Sequence, residues 1–191
     1  MFGLFSKKPK TKPMLVATLN ARLQPLDRGE IEDAFDDTMK RLGLNIRVVG
    51  GGTLMTNEGE PEDIDIEVDD LSAEIAATVT RAFEAMLAPV GSRLRLPDQT
   101  VVEFGRQHGL GLYLNGTDLP RDIYTTCDSN HVYRECNRLL EGVGRVSSHW
   151  QGAQETALYM YGTDFSVMHD RLTTFLETYP LCQKCRVERI A

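Results

Sequence analysis

A chain of 191 residues that is 41% hydrophobic and 26% charged has room for one or two small globular domains with a real apolar core. No apolar run approaches the roughly 20 residues that cross a bilayer, so no stable membrane association is expected. The net charge is −7, with 16 acids against 8 bases in residues 14–96 and 10 against 8 in residues 110–191. An acidic body of this kind argues against a nucleic-acid backbone as partner and suits a basic protein surface.

The chain opens with Phe2, Leu4 and Phe5 ahead of Lys7, Lys8, Lys10 and Lys12. That order is the reverse of a secretory signal. Residues 1–13 therefore read as a basic flexible tail, ended by Pro9 and Pro13; a weak membrane-surface anchor through the three apolar side chains is the sharper alternative. The four cysteines, without a signal, read as reduced thiols in a cytoplasmic protein.

Residues 15–22 alternate like a strand. A helix follows, with Asp27 as a capping residue, a stripe of Ile31, Phe35, Met39 and Leu42, and Gly43 as its stop. Residues 46–50 form a strand that Gly50, Gly51 and Gly52 break or bulge, and Asn57-Glu58-Gly59 is turn chemistry. Residues 62–69 alternate cleanly, with Ile64, Ile66 and Val68 on one side. The spacing then predicts a helix over 72–87, with Ile75, Val79, Phe83 and Met86 buried, and a strand over 92–96. Residues 100–104 offer an extra strand, paired with 110–114 across a turn at 106–109. The second half repeats the plan: strand 110–114, a helix with Val132, Cys136, Leu139 and Leu140, strands 145–150 and 155–161, a helix with Phe165, Met168, Leu172, Phe175 and Tyr179, and strand 186–190.

Strand–helix–strand–strand–helix–strand, twice, is the order of the split βαβ unit. The expected fold is α+β: two tandem ferredoxin-like βαββαβ units, with antiparallel sheets carrying their helices on one face. The units span 14–97 and 110–191, and 98–109 is the linker that holds the extra strand. The expected central strand 62–69 then turns Asp63, Asp65, Glu67 and Asp69 away from the helices.

That acidic strand is the most informative feature. Residues 48–80 contain no Lys or Arg but include Glu58, Glu60, Glu62, Asp63, Asp65, Glu67, Asp69 and Asp70. Like charges on one strand repel unless something compensates them. The bland reading is a solvated sheet face; the functional one is a docking surface for a basic partner. Trp150, Tyr159 and Tyr161 form an aromatic patch on adjacent strands, read either as core packing or as interface anchors. The partner-binding candidates are thus Glu58, Glu60, Glu62, Asp63, Asp65, Glu67, Asp69, Trp150, Tyr159 and Tyr161.

Other motifs point to less. Cys182-Gln183-Lys184-Cys185 has zinc or redox spacing, but no second pair at similar spacing completes a zinc site, so core or loop thiols are the reading. Gly50-Gly51-Gly52-Thr53 lacks the Lys and the following helix of a phosphate loop. In Ser147-Ser148-His149-Trp150, alternation sends Ser148 and His149 to opposite faces. No catalytic residue, metal ligand or cofactor is nominated, and a non-enzyme is expected.

Leu114-Asn115-Gly116-Thr117-Asp118-Leu119-Pro120, Glu155-Thr156-Ala157-Leu158-Tyr159 and Tyr179-Pro180-Leu181-Cys182-Gln183 carry a resemblance. The chain resembles small bacterial immunity proteins of secreted antibacterial toxins, of the type VI effector-immunity kind. The resemblance implies a cytoplasmic protein that binds and blocks the catalytic domain of a cognate toxin. A toxin acting on nucleotides or nucleic acids would offer the basic active-site cleft that the acidic strand suits. It brings no catalytic or ligand residues with it. The alternative function is a tandem regulatory domain binding a small ligand such as an amino acid between its units, near Gly50–Gly52. An enzyme would need a pocket with convergent polar groups between the repeats.

Overall fold

The computed structural model describes residues 11–51 and 63–191. Over these residues two antiparallel sheets and five α-helices make a mixed α+β fold.

The first sheet has the order β2-β3-β1-β4-β5. Its strands are β1 (Met14–Thr18), β2 (Ile46–Gly51), β3 (Asp63–Val68), β4 (Ser92–Arg95) and β5 (Val101–Phe104). Helix α1 (Pro25–Arg41) joins β1 to β2, and α2 (Ala73–Ala85) joins β3 to β4. Asp27 does not sit at the N-cap of α1; it lies in the first turn and accepts the Gln24 backbone N–H at 3.0 Å. Ser72 caps α2, accepting from the Ile75 N–H. Phe35 and Met39 of α1, with Val79 and Phe83 of α2, bury against Leu15, Ala17, Ile64, Ile66, Val68 and Leu94. Phe35 and Phe83 stack with ring centres 4.7 Å apart. Strand β2 is bulged between Val48 and Gly50.

The extra strand forms, but against β4 and not against 110–114. The chain reverses through Pro97, Asp98 and Gln99: Gln99 adopts a positive φ of 70°, and Leu96 N–H donates to Thr100 C=O at 2.8 Å. A turn this tight leaves β5 no edge to pair with except that of β4. Gly105 then takes φ +105° beside the Pro89 carbonyl, where a Cβ would stand 1.8 Å from that oxygen, so only glycine fits.

The second sheet has the order β7-β8-β6-β9. Its strands are β6 (His108–Asn115), β7 (Gly144–Gln151), β8 (Glu155–Gly162) and β9 (Arg186–Arg189). Helix α3 (Arg121–Thr126), a short element absent from the sequence-based expectation, precedes α4 (Ser129–Leu139); α5 (Phe165–Thr178) follows β8. Val132, Cys136, Leu140, Met168 and Leu172 form a second core with Leu110, Leu112, Leu114, Leu158 and Met160.

The two cores meet the two sheets differently. The helix-free face of the second sheet, with Tyr113, Ala157, Tyr159 and Tyr161, belongs to the core of the first half. The helix-free face of the first sheet has no described element packed over it.

Candidate interaction surfaces

The helix-free face of the first sheet carries most of the described acids that the sequence singled out. Asp63, Asp65 and Glu67 alternate with the buried Ile64, Ile66 and Val68, as period-2 patterning requires. Glu58, Glu60 and Glu62 lie outside the described residues.

The compensation that such a strand needs comes from its neighbours. Glu67 pairs with Arg47 of β2 at 2.9 Å and with Lys12 at 3.0 Å. Lys12 also reaches Asp69 at 2.9 Å, and Asn45 donates to that same carboxylate at 2.7 Å. The hydrogen bond from Lys12 is the main reason both carboxyls titrate below their ordinary range. Thr18 donates to Asp63 at 2.6 Å, and Arg95 stands 3.8 Å from it. Asp65 has no ion-pair partner among the described residues.

The register makes this face a set of stripes. Asp65, Val16, Arg95 and Val101 lie on one cross-strand line, and Asp63, Thr18, Arg93 and Glu103 on the next. Acids therefore occupy β3 and arginines occupy β4, with the small side chains of β1 between them. The face is a charge-separated pair of rows and not a bare negative field. Sequence reading missed this because Lys12, Arg93 and Arg95 are distant in the chain, and Arg47 falls just outside the acidic stretch.

Negative charge outside any ion pair among the described residues sits elsewhere. Glu30, Asp33 and Asp37 are exposed along one side of α1, at the i, i+3, i+7 spacing of a single helix face. No ion pair among the described residues involves them. The start of this helix touches the ends of β2 and β3: the Arg28 guanidinium donates to Asp63 C=O at 3.1 Å and pairs with Glu32 at 2.7 Å. The signal for this face was present in the helical spacing of the acids on α1, a stretch read only for its apolar stripe.

The aromatic group faces an interface, but an internal one. Tyr159 is fully buried and Tyr161 is 6% exposed, so both are closed to an outside partner; Trp150, half-buried, packs against the same core. Residues 19–24, between β1 and α1, lie against them. The Arg22 N–H donates to the Tyr161 hydroxyl at 2.7 Å, the Ser148 hydroxyl donates to Arg22 C=O, and the Gln24 side chain donates to His149 C=O at 2.7 Å. The Arg22 guanidinium lies 5.7 Å from the Tyr159 ring centre. Burial pushes the Tyr161 phenol up to about 12, with the Arg22 N–H pulling the other way. Gly109 and Gly111 leave the floor of this face flat: a Cβ on Gly109 would stand 2.7 Å from Ile190, and one on Gly111 2.8 Å from the Tyr113 ring.

The four cysteines all join the second core, Cys136 and Cys182 buried, Cys127 and Cys185 packed against it. Burial, then the neighbouring Cys182, pushes the Cys136 thiol up to about 12; burial does the same to Cys182. Thiols held this far from ionisation are poor nucleophiles at neutral pH. Among the described residues no group of three or more His, Cys, Asp and Glu side chains is placed to hold a metal ion.

Between the two halves lies an apolar cleft of about 70 Å³, lined by Leu19, Leu23, Phe83 and Met86, with Arg145 and Ser147 among its polar residues. That is well below the roughly 300 Å³ at which ligand pockets begin. Neither Gly50 nor Gly51 lines it. No described helix is long and apolar enough to cross a membrane.

No family model matches the chain, and no curated protein matches it. Solved structures similar to it include an unknown protein from Galdieria sulphuraria, at 11% identity and TM-score 0.31, over 94% of this chain and 98% of the other. Another is the first two RRM domains of the yeast poly(U)-binding protein Pub1, at 9% identity and TM-score 0.26, over 93% and 99%. At TM-scores this low neither likeness bears on function.

Proposed function

We propose that the chain is an immunity protein: a non-catalytic, cytoplasmic binding protein built on two tandem ferredoxin-like units, which covers the basic active-site cleft of a cognate antibacterial toxin. The strand order of each sheet, with the third and first strands central, supports the scaffold. The observation that carries the docking surface is the acidic side of α1, whose Glu30, Asp33 and Asp37 make no ion pair among the described residues, next to the ends of β2 and β3. Complementary charge of this kind speeds encounter and selects the partner. Asp63 at the start of β3 borders this surface, and Asp65, Glu67 and Asp69 flank it; Glu58, Glu60 and Glu62 stay among the partner-binding candidates. The partner is a nucleotide- or nucleic-acid-directed toxin, since such enzymes bind phosphates in basic clefts. The small volume between the halves weighs against the alternative of an amino-acid-binding regulatory domain.

The test starts from a partner captured by the tagged protein in the cells that make it, then purified as a binary complex. The expected partner is a toxin domain whose activity is lost stoichiometrically on binding. Reversing Glu30, Asp33 and Asp37 to Lys together should weaken the complex by about 100-fold or more, as lost rim charges act largely through encounter and several act at once. A partner that stays active in the complex, or an affinity indifferent to this reversal, would refute the reading.

A further inference from the structure

The rows of charge on the first sheet have a property that a surface made only for a foreign partner does not need: they are complementary to themselves. We propose that a second copy of this chain docks on the helix-free face of the first sheet, forming a two-fold symmetric dimer with β1 at the axis.

The geometry follows from the register. A two-fold axis running along β1, between two facing sheets, exchanges left and right. What lies one strand to the left of β1 in one copy faces what lies one strand to its right in the other. Asp65 shares a cross-strand line with Arg95, and Asp63 shares one with Arg93, each pair flanking β1. Under that rotation Asp65 of each copy comes opposite Arg95 of the other, and Asp63 opposite Arg93. Val16 and Thr18 meet their own counterparts at the axis. Facing sheets pack about 10 Å apart, which the short Asp and long Arg side chains together span. An isologous contact of this type closes after two copies.

The existing contacts leave these groups available. Asp65 has no ion-pair partner among the described residues. Arg95 and Arg93 hold their own-chain acids only at 3.8 Å and 3.7 Å, with all four side chains 44–72% exposed. Exposed apolar groups border the rows, Met14 at 41% and Val101 at 50%. Five strands about 4.8 Å apart and five residues long give a face of roughly 400 Å². Twice that, about 800 Å², falls below the roughly 1,200 Å² at which stable interfaces begin and in the range of transient ones, so the dimer is weak, with a dissociation constant of about 10–100 µM. Asp63 borders both this face and the acidic side of α1, but the dimer is read at Asp65 and Arg95 and the toxin complex at Glu30, Asp33 and Asp37, so the two stand or fall separately.

Sedimentation velocity on the full chain reads the inference directly. A monomer–dimer equilibrium in the stated range is expected at about 50 mM salt, weakened about tenfold or more at about 500 mM, since exposed ion pairs are screened. Asp65→Arg alone should abolish the dimer, and so should Arg95→Asp alone, because each places like charges opposite one another twice. The two variants mixed should associate again, since in the mixed pair both lines regain opposite charges. Thermal unfolding of each variant confirms that it is folded, and recovery in the mixture cannot come from a folding defect. A chain that remains monomeric at several hundred µM (well above the expected constant), a dimer indifferent to both substitutions, or a mixture that stays monomeric overturns the proposal.

Discussion

The two sheets share a strand order and differ in what lies against their helix-free faces. On the second sheet that face is Gly109, Gly111, Tyr113, Ala157, Tyr159 and Tyr161, and the first half of the chain covers it. On the first sheet the same face is acids, arginines and small side chains, open to water over the described residues. One topology thus serves two ends: in one copy the spare face glues the molecule together, and in the other it is left for something else. The difference lies in the outward positions alone, because the inward ones are equally apolar in both sheets.

The sharpest way to break this comparison is to truncate one residue on each face. Tyr159→Ala removes a fully buried ring from the covered face, and should destabilise the chain by about 3–5 kcal/mol. Thr18→Ala, on the open face, should change stability by about 0.5 kcal/mol or less. Urea unfolding measures both. Similar costs at the two sites would mean that the open face is covered after all.

A smaller effect tests how tightly the covered face of the second sheet is packed against the C-terminal residues. Gly109→Ala would place a methyl group 2.7 Å from Ile190 and 2.9 Å from both Ala191 N and the Tyr161 ring. The expected loss is about 1–3 kcal/mol from overpacking. Gly29, half-buried on α1, meets nothing within 4 Å. Gly29→Ala should instead stabilise by about 0.5–1 kcal/mol through helix propensity. Opposite signs for one chemical change would locate the tight packing on the second sheet.

Tyr161→Phe should cost about 1–3 kcal/mol at neutral pH by leaving the Arg22 N–H without its acceptor, and it carries a pH signature. A phenol held protonated by the fold up to about 12, against an ordinary value of 10, contributes stability that is fully present below pH 10. Above pH 10 the unfolded chain releases the proton first, and the contribution is lost by about pH 12. The thermal midpoint of the wild-type chain should fall across that window, and more steeply than that of Tyr161→Phe. Equal slopes would place the hydroxyl in water.

Much of this contrast is written in the strands. Strand β3 reads Asp-Ile-Asp-Ile-Glu-Val and buries every second residue, which is the pattern of a sheet wet on one side. Strand β8 reads Glu-Thr-Ala-Leu-Tyr-Met-Tyr-Gly and is buried without alternation from Ala157 onward, the pattern of a strand covered on both sides. The element order was legible because Ile31, Phe35 and Met39, or Val132, Cys136 and Leu140, keep helical spacing whatever they touch. Pairing across distance was not legible. Nothing local says that Lys12 and Arg47 neutralise Glu67, that β5 returns to β4, or that residues 19–24 lie against Tyr161, because each depends on which surfaces meet after folding. The acids of α1 were legible and outweighed by the longer acidic stretch after it.

The least expected effect on stability belongs to the open face, and it tests whether its charges are paired in solution. Lys12 holds the Glu67 and Asp69 carboxyls below their ordinary values, mainly by hydrogen bonding to them. Lys12→Ala should therefore let both titrate at higher pH, readable by NMR of the carboxyl carbons, while each keeps a second partner, Arg47 at Glu67 and Asn45 at Asp69. A depressed carboxyl contributes stability above its ordinary value and loses it as pH falls through the depressed one. The variant should therefore unfold like the wild type when both are well below that window, and differ near neutrality only slightly. Such exposed pairs are solvent-screened, so added salt should erase even that difference. Unshifted titrations would mean that Lys12 leaves the sheet in solution, and with it the compensation of the acidic strand.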